Sequence, residues 1–211
     1  MSGLLERLQE EQSRIVREVL KLGVEVTGFD VDEIISDFLE RLEAERGRVT
    51  KEVLKIAAAN PKGGGFFKGL LEYTGNNSAV PEEVIMTAAR NTDRYAYLIM
   101  KSILDHQGEG FLVPEEVLKE AAVNSGEWGY KIIETILEER ESLVLSEEVV
   151  KEVTKHANWE DMFDALFRVR GESVPLSKEV LKAAAENIGE DETRMMEILC
   201  QNRQRIADRF W

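Results

Sequence analysis

Thr50-Lys51-Glu52-Val53-Leu54-Lys55-Ile56-Ala57-Ala58-Ala59-Asn60 is a stretch that the chain repeats in degenerate form. It returns as Pro81-Glu82-Glu83-Val84 through Asn91, as Pro114-Glu115-Glu116-Val117 through Asn124, as Ser146-Glu147-Glu148-Val149 through His156, and as Ser177-Lys178-Glu179-Val180 through Asn187. The valines at Val53, Val84, Val117, Val149 and Val180 are 31, 33, 32 and 31 residues apart. A second mark follows each copy: apolar residues at i, i+1, i+4 and i+5, as in Phe66, Phe67, Leu70 and Leu71. It recurs at Ile99, Met100, Ile103 and Leu104, at Ile132, Ile133, Ile136 and Leu137, at Met162, Phe163, Leu166 and Phe167, and more weakly at Met195, Ile198 and Leu199. Two marks sharing one period define a repeat architecture.

The apolar spacings of one, four and five residues fall on one helical face, and strand-like alternation is absent, so each unit reads as two helices. Thr50, Ser146 and Ser177 stand where an N-cap hydroxyl accepts from an orphan amide, and Pro81 and Pro114 occupy the same column. Glu52, Glu83, Glu116, Glu148 and Glu179 then set negative charge against the positive end of the helix dipole. The alanine pairs Ala57-Ala58, Ala88-Ala89, Ala121-Ala122 and Ala184-Ala185 let neighbouring helices approach closely, with Val153-Thr154 as the exception. The column Asn60, Asn91, Asn124, His156 and Asn187 closes the first helix, where asparagine is expected to adopt the left-handed cap conformation.

The second mark also occurs upstream at Ile34, Ile35, Phe38 and Leu39, which predicts a degenerate first copy. Leu4, Leu5, Leu8, Ile15, Val16, Val19 and Leu20 form an apolar stripe that extends the helical pattern to the N-terminus. The fold expected is an all-α, right-handed α-solenoid of about six two-helix repeats, with a period of about 31–34 residues and an N-terminal capping helix. It is read as a single helical-repeat domain over 1–211, with residues 1–12 as the cap and units at 13–46, 47–78, 79–111, 112–143, 144–174 and 175–211.

Composition narrows the partners. The chain has 211 residues, 43% of them hydrophobic, with 27 basic and 41 acidic side chains for a net charge of −14. An acidic balance opposes binding to phosphate backbones, whose affinity comes from Lys and Arg displacing counterions, so neither nucleic acid nor an anionic membrane is an expected partner. The single cysteine, Cys200, cannot form an internal disulfide, and the N-terminal residues lack a signal-like apolar run. These features predict a soluble, cytoplasmic protein.

The Thr50–Asn60 segment with Pro61, and its Ser177–Gly189 counterpart carrying Ala183-Ala184-Ala185-Glu186-Asn187-Ile188-Gly189, resembles the short helical repeats of filamentous-fungal proteins that also carry ankyrin arrays or NACHT-type NTPase domains. The resemblance runs from about Val49 to Leu199. It implies an interaction or sensing array connected to fungal self/non-self recognition, with no catalytic activity. The tetratricopeptide and ankyrin signatures are both absent from this chain.

Candidate chemistry is sparse. Asp30, Asp32, Glu33 and Asp37 open one second helix, and Glu160, Asp161 and Asp164 open another, as the helix dipole favours. The latter group resembles a loose aspartate-rich motif of isoprenoid synthases, which implies a Mg²⁺-dependent reaction on an isoprenoid-like diphosphate, or small-ligand binding, as the alternative function. Lys62-Gly63-Gly64-Gly65 lacks the ending of a phosphate loop and reads as a flexible inter-helix turn. His106, His156 and Cys200 lack zinc-site spacing, and no metal or cofactor is expected.

Aromatic residues recur at the turn between the two helices: Phe66, Tyr95, Trp128 and Trp159. Rings in such a column either plug the gap beneath the turn or line a rim as binding anchors. The function expected is a non-catalytic protein–protein interaction module. Its contact residues are Tyr95, Trp128 and Trp159 with the acidic Glu127, Glu160 and Asp161, and they face a protein partner of basic or mixed surface. Self-association of the array is a further alternative.

Overall fold

The structure, a computed structural model, describes residues 49–60, 64–75, 78–155 and 159–188, together with Arg14 and Glu40. The expected cap, the first unit apart from Arg14 and Glu40, His156, and the chain beyond Ile188 with Cys200 lie outside the described residues. The helices are α1 (Lys51–Ala58), α2 (Gly64–Thr74), α3 (Glu82–Arg90), α4 (Ala96–Gln107), α5 (Glu115–Ala122), α6 (Gly129–Glu139), α7 (Glu147–Thr154), α8 (Trp159–Arg170) and α9 (Lys178–Ile188), with a 3₁₀ turn at Gly171–Ser173. The described residues contain no strand, and none of their helices is long and apolar enough to cross a membrane.

The chain divides into two compact units, Met1–Gly110 and Phe111–Trp211. In the first, α1 packs on α3 and α2 on α4, while α1–α2 and α3–α4 close as hairpins. The second repeats this arrangement: α5 packs on α7, α7 on α9 and α6 on α8, with hairpins α5–α6 and α7–α8. Within each unit helices of one kind stack on each other in sequence order, so the described residues form an all-α, solenoid-like arrangement.

The first helices are amphipathic in one register. Val53, Leu54, Ala57 and Ala58 of α1 are buried, and so are Val84, Ile85, Ala88 and Ala89 of α3 and Val117, Leu118, Ala121 and Ala122 of α5. Each large aliphatic contributes about 1.5–3 kcal/mol of burial. In α7 the exceptional pair Val153-Thr154 is buried too, and the threonine hydroxyl avoids an unmet donor by donating to Lys151 O at 2.8 Å. The starts follow the hydroxyl column. Val53, Val149 and Val180 N–H donate to Thr50 Oγ1, Ser146 Oγ and Ser177 Oγ at 3.4, 3.3 and 3.2 Å. Pro81 and Pro114 cap with their carbonyls alone, receiving Val84 N–H at 2.9 Å and Val117 N–H at 3.0 Å. Val80, Val113 and Leu145, one residue before the cap, are buried, as are Ile85, Leu118 and Val150 in the following turn, a hydrophobic-staple pattern.

Two sequence expectations are corrected. Asn91 is not left-handed: it is extended, at φ −67 and ψ 121. Its side chain instead reaches back one repeat, Nδ2 donating to Ala58 O at 2.9 Å and Asn60 O at 3.2 Å, while Oδ1 accepts Asp93 N–H at 2.9 Å. Carbonyls at the end of α1 thus accept from a side chain of the following repeat. The left-handed positions belong to Gly75, Gly108 and Gly171, after the second helices. Secondly, Gly64 and Gly65 are not in a turn but begin α2, where a Cβ on Gly64 would come within 3.2 Å of Leu98 Cβ on α4. Lys62 and Gly63 lie outside the described residues.

The second unit adds an arginine version of the same device. Arg170 Nη2 donates to Leu137 O at 2.9 Å and Arg140 O at 2.7 Å, and Arg140 Nε donates to Phe111 O at 3.3 Å. Desolvation lowers the pKa of Arg170, and Glu141 opposes that shift.

Replacing Asn91 by either Ala or Gly should cost roughly 2–4 kcal/mol, because both remove the bonds to the α1 carbonyls. Denaturant unfolding checks this, and a neutral Asn91→Gly would restore the left-handed-cap explanation. A second expected outcome concerns Glu115, whose Oε1 accepts from Ser146 Oγ at 2.9 Å. That bond, and then Lys119, hold its pKa below the ordinary 4.5. Its stabilising contribution is present above 4.5 and is lost as pH falls through the lowered value. Carboxyl NMR titration should show Glu115 moving upward toward 4.5 in Ser146→Ala.

Candidate interaction surface

The turns joining first to second helices are built from the asparagine column. In the first unit, Asn91 Oδ1 accepts Asp93 N–H and Asp93 Oδ1 accepts Tyr95 N–H, both at 2.9 Å, so the chain turns sharply into α4. In the second unit, Asn124 Oδ1 accepts Gly126 N–H at 2.9 Å. A Cβ on Gly129 would sit 2.7 Å from Asn124 O, so the first residue of α6 must be glycine for this turn to close.

This geometry sorts the four aromatic residues. Tyr95 and Trp128 are the N-cap residues of α4 and α6, and they are 41% and 39% exposed. Trp159 lies one position later, as the first residue of α8, and is only 7% exposed. Its ring meets Phe163 edge-on at 6.2 Å, and Phe163 stacks on Phe167 at 5.9 Å. Phe66, inside α2, is buried as well. The expected column is therefore two exposed caps and two core rings. Trp159, read from sequence as a contact residue, has its ring in the core, because a one-residue step on a helix rotates a side chain by about 100°.

Around Trp128 the second unit carries a connected surface. Trp128 stacks on Tyr130 at 6.2 Å and 30°, and Lys131 Nζ lies 5.3 Å from the Tyr130 ring centroid. Lys131 also pairs with Glu134 Oε2 at 3.0 Å, and Arg168 of α8 holds Glu134 Oε1. The Glu134 bond is the main cause of the raised Lys131 pKa. Glu134 is nearly buried, so its two cations offset the cost of removing a carboxylate from water. Glu127 and Asp161 are exposed and Glu160 is half-buried, and the latter two stand in the first turn of α8. The first unit differs: the Arg94 guanidinium lies 4.6 Å from the Tyr95 ring centroid. An open depression of about 420 Å³, lined by Ala59, Thr87, Arg90, Asn91, Thr92 and Asp93, lies in the same unit.

Residues 166–195 match a domain of unknown function, DUF7104. The match begins at Leu166 in α8, takes in α9, and is about one repeat in length. No curated protein and no solved structure matches the chain.

Asp161 and Asp164, the residues of the diphosphate alternative, are both exposed on α8. Among the described residues, no cluster of three or more His, Cys, Asp or Glu is arranged to hold a metal ion. Asp30, Asp32, Glu33 and Asp37 lie outside the described residues, and His106 Nε2 is 2.9 Å from Ser78 O. Sequence reasoning missed Tyr130, Arg94 and the Lys131–Glu134–Arg168 group. A carboxylate between Ile133 and Ile136 was the available signal for the last of these.

Trp159→Ala should cost about 3–5 kcal/mol as a core truncation. Trp128→Ala should cost only about 1 kcal/mol, the scale of a lost aromatic pair. Urea unfolding of the two variants checks the order, and the reverse order would place Trp128 in the core.

Proposed function

We propose that the chain is a non-catalytic protein-interaction module, in which the Trp128 surface of the second unit receives a partner segment of basic character. The exposure of Trp128 at a helix N-cap carries this reading. Capping favours Ser, Thr, Asp or Asn, and Trp128 makes no side-chain cap bond, so helix stability does not account for it. Local rules are broken where a site is functional or strained, and an exposed large ring at a cap is such a place. Trp is also enriched among binding hot spots.

Glu127 beside it in the sequence is exposed, and its negative charge suits a basic partner. Trp159 lies in the core, and Tyr95 belongs to the separate turn of the first unit. The resemblance of the repeats to those of fungal sensing arrays supports the same class of function, including a role in self/non-self recognition.

Affinity capture from an extract of the source organism tests the reading, with wild-type chain and Trp128→Ala compared at low and high salt. A protein retained by the wild type, lost by a folded Trp128→Ala variant and weakened by salt is the expected result. Retention by neither chain, or equally by both, overturns it.

A further inference from the structure

We propose that Trp128 and Glu127 form a receptor for one arginine side chain of the partner segment, a site that rests on the interaction-module reading. The inference comes from setting two turns of the same protein side by side. Arg94-Tyr95 and Glu127-Trp128 occupy equivalent positions, each pair ending in the N-cap residue of a second helix. In the first unit the ring is served by its own neighbour, Arg94, with the guanidinium 4.6 Å from the Tyr95 centroid. In the second unit the neighbour is a carboxylate. Among the described residues, no cation lies over the Trp128 ring and no ion pair engages Glu127.

Lys131, three residues further on, is already committed. Lys131 faces Tyr130 and is bonded to Glu134 at 3.0 Å, while Arg168 is bonded to the same carboxylate. Trp128 turns part of its ring to Tyr130 and leaves 39% of its surface open. Trp is the strongest aromatic partner for a cation, so the site has the better ring and lacks the cation. Glu127 supplies the complementary charge. Arginine fits better than lysine because a planar guanidinium can lie flat on an indole while its edge donates to a carboxylate; an ammonium group cannot do both. An acidic segment would meet Glu127 as a like charge.

The test uses the full chain and acetyl-Gly-Gly-Arg-Gly-Gly-amide, with the citrulline peptide as neutral isostere. The indole ¹⁵N–¹H signals of the three tryptophans are followed, that of Trp128 being assigned from Trp128→Phe. The arginine peptide should move the Trp128 signal saturably and leave that of Trp159 in place, and the citrulline peptide should move neither. Glu127→Arg, which copies the Arg94–Tyr95 arrangement, should weaken binding by about tenfold without altering the melting temperature. No response to the arginine peptide, an equal response to citrulline, or unchanged affinity in Glu127→Arg overturns the proposal. Partner capture that is lost in Trp128→Ala and kept in Glu127→Arg overturns the arginine receptor and leaves the interaction module standing. Arginine-peptide binding without partner capture overturns the module and keeps the site.

Discussion

A short helix whose end is buried leaves carbonyl groups without partners, and this chain has many such ends within a few tens of residues. Everything else about the stack depends on how those groups are met. Asn91 meets them for α1, and Arg140 and Arg170 meet them for the loop before α5 and the end of α6. The apolar frame drives the helices together but is indifferent to small rotations of one hairpin on the next. Hydrogen bonds at fixed carbonyls are directional, so they select one stacking geometry.

With the stacking fixed by a few buried residues per repeat, the turns are free to differ. Asn91 and Asn124 hold similar turns, yet the residues that follow give one turn a self-satisfied Arg94–Tyr95 pair and the other an open Trp128 beside Glu127. The frame and the recognition surface are thereby carried by different columns of the repeat. Substitution in one column need not disturb the other.

Helix positions, starts and buried faces were legible because they follow from periodicity: Val53, Val84 and Val117 all lie fully buried where the pattern placed them. Conformation at a single position was less legible. Asparagine ends helices in more than one way, and only coordinates separate an αL cap from a side chain reaching thirty residues back. The aromatic column failed for a similar reason. Trp159 stands one residue out of register with Tyr95 and Trp128, a shift that spacing between repeats of unequal length conceals. The Arg140–Arg170 pair left no repeated mark at all, since Thr74 and Gln107 hold the corresponding places in the first unit.

The donors Asn91 and Arg170 each belong to the later repeat of their unit, and the carbonyls they serve belong to the earlier one. A ribosome delivers the earlier repeat first, at about 5–20 residues per second. In each unit the earlier hairpin therefore waits with carbonyls that water can serve, and the later hairpin brings the donors that replace that water. Within each unit assembly can proceed in the direction of synthesis, the earlier hairpin serving as the template for the later one.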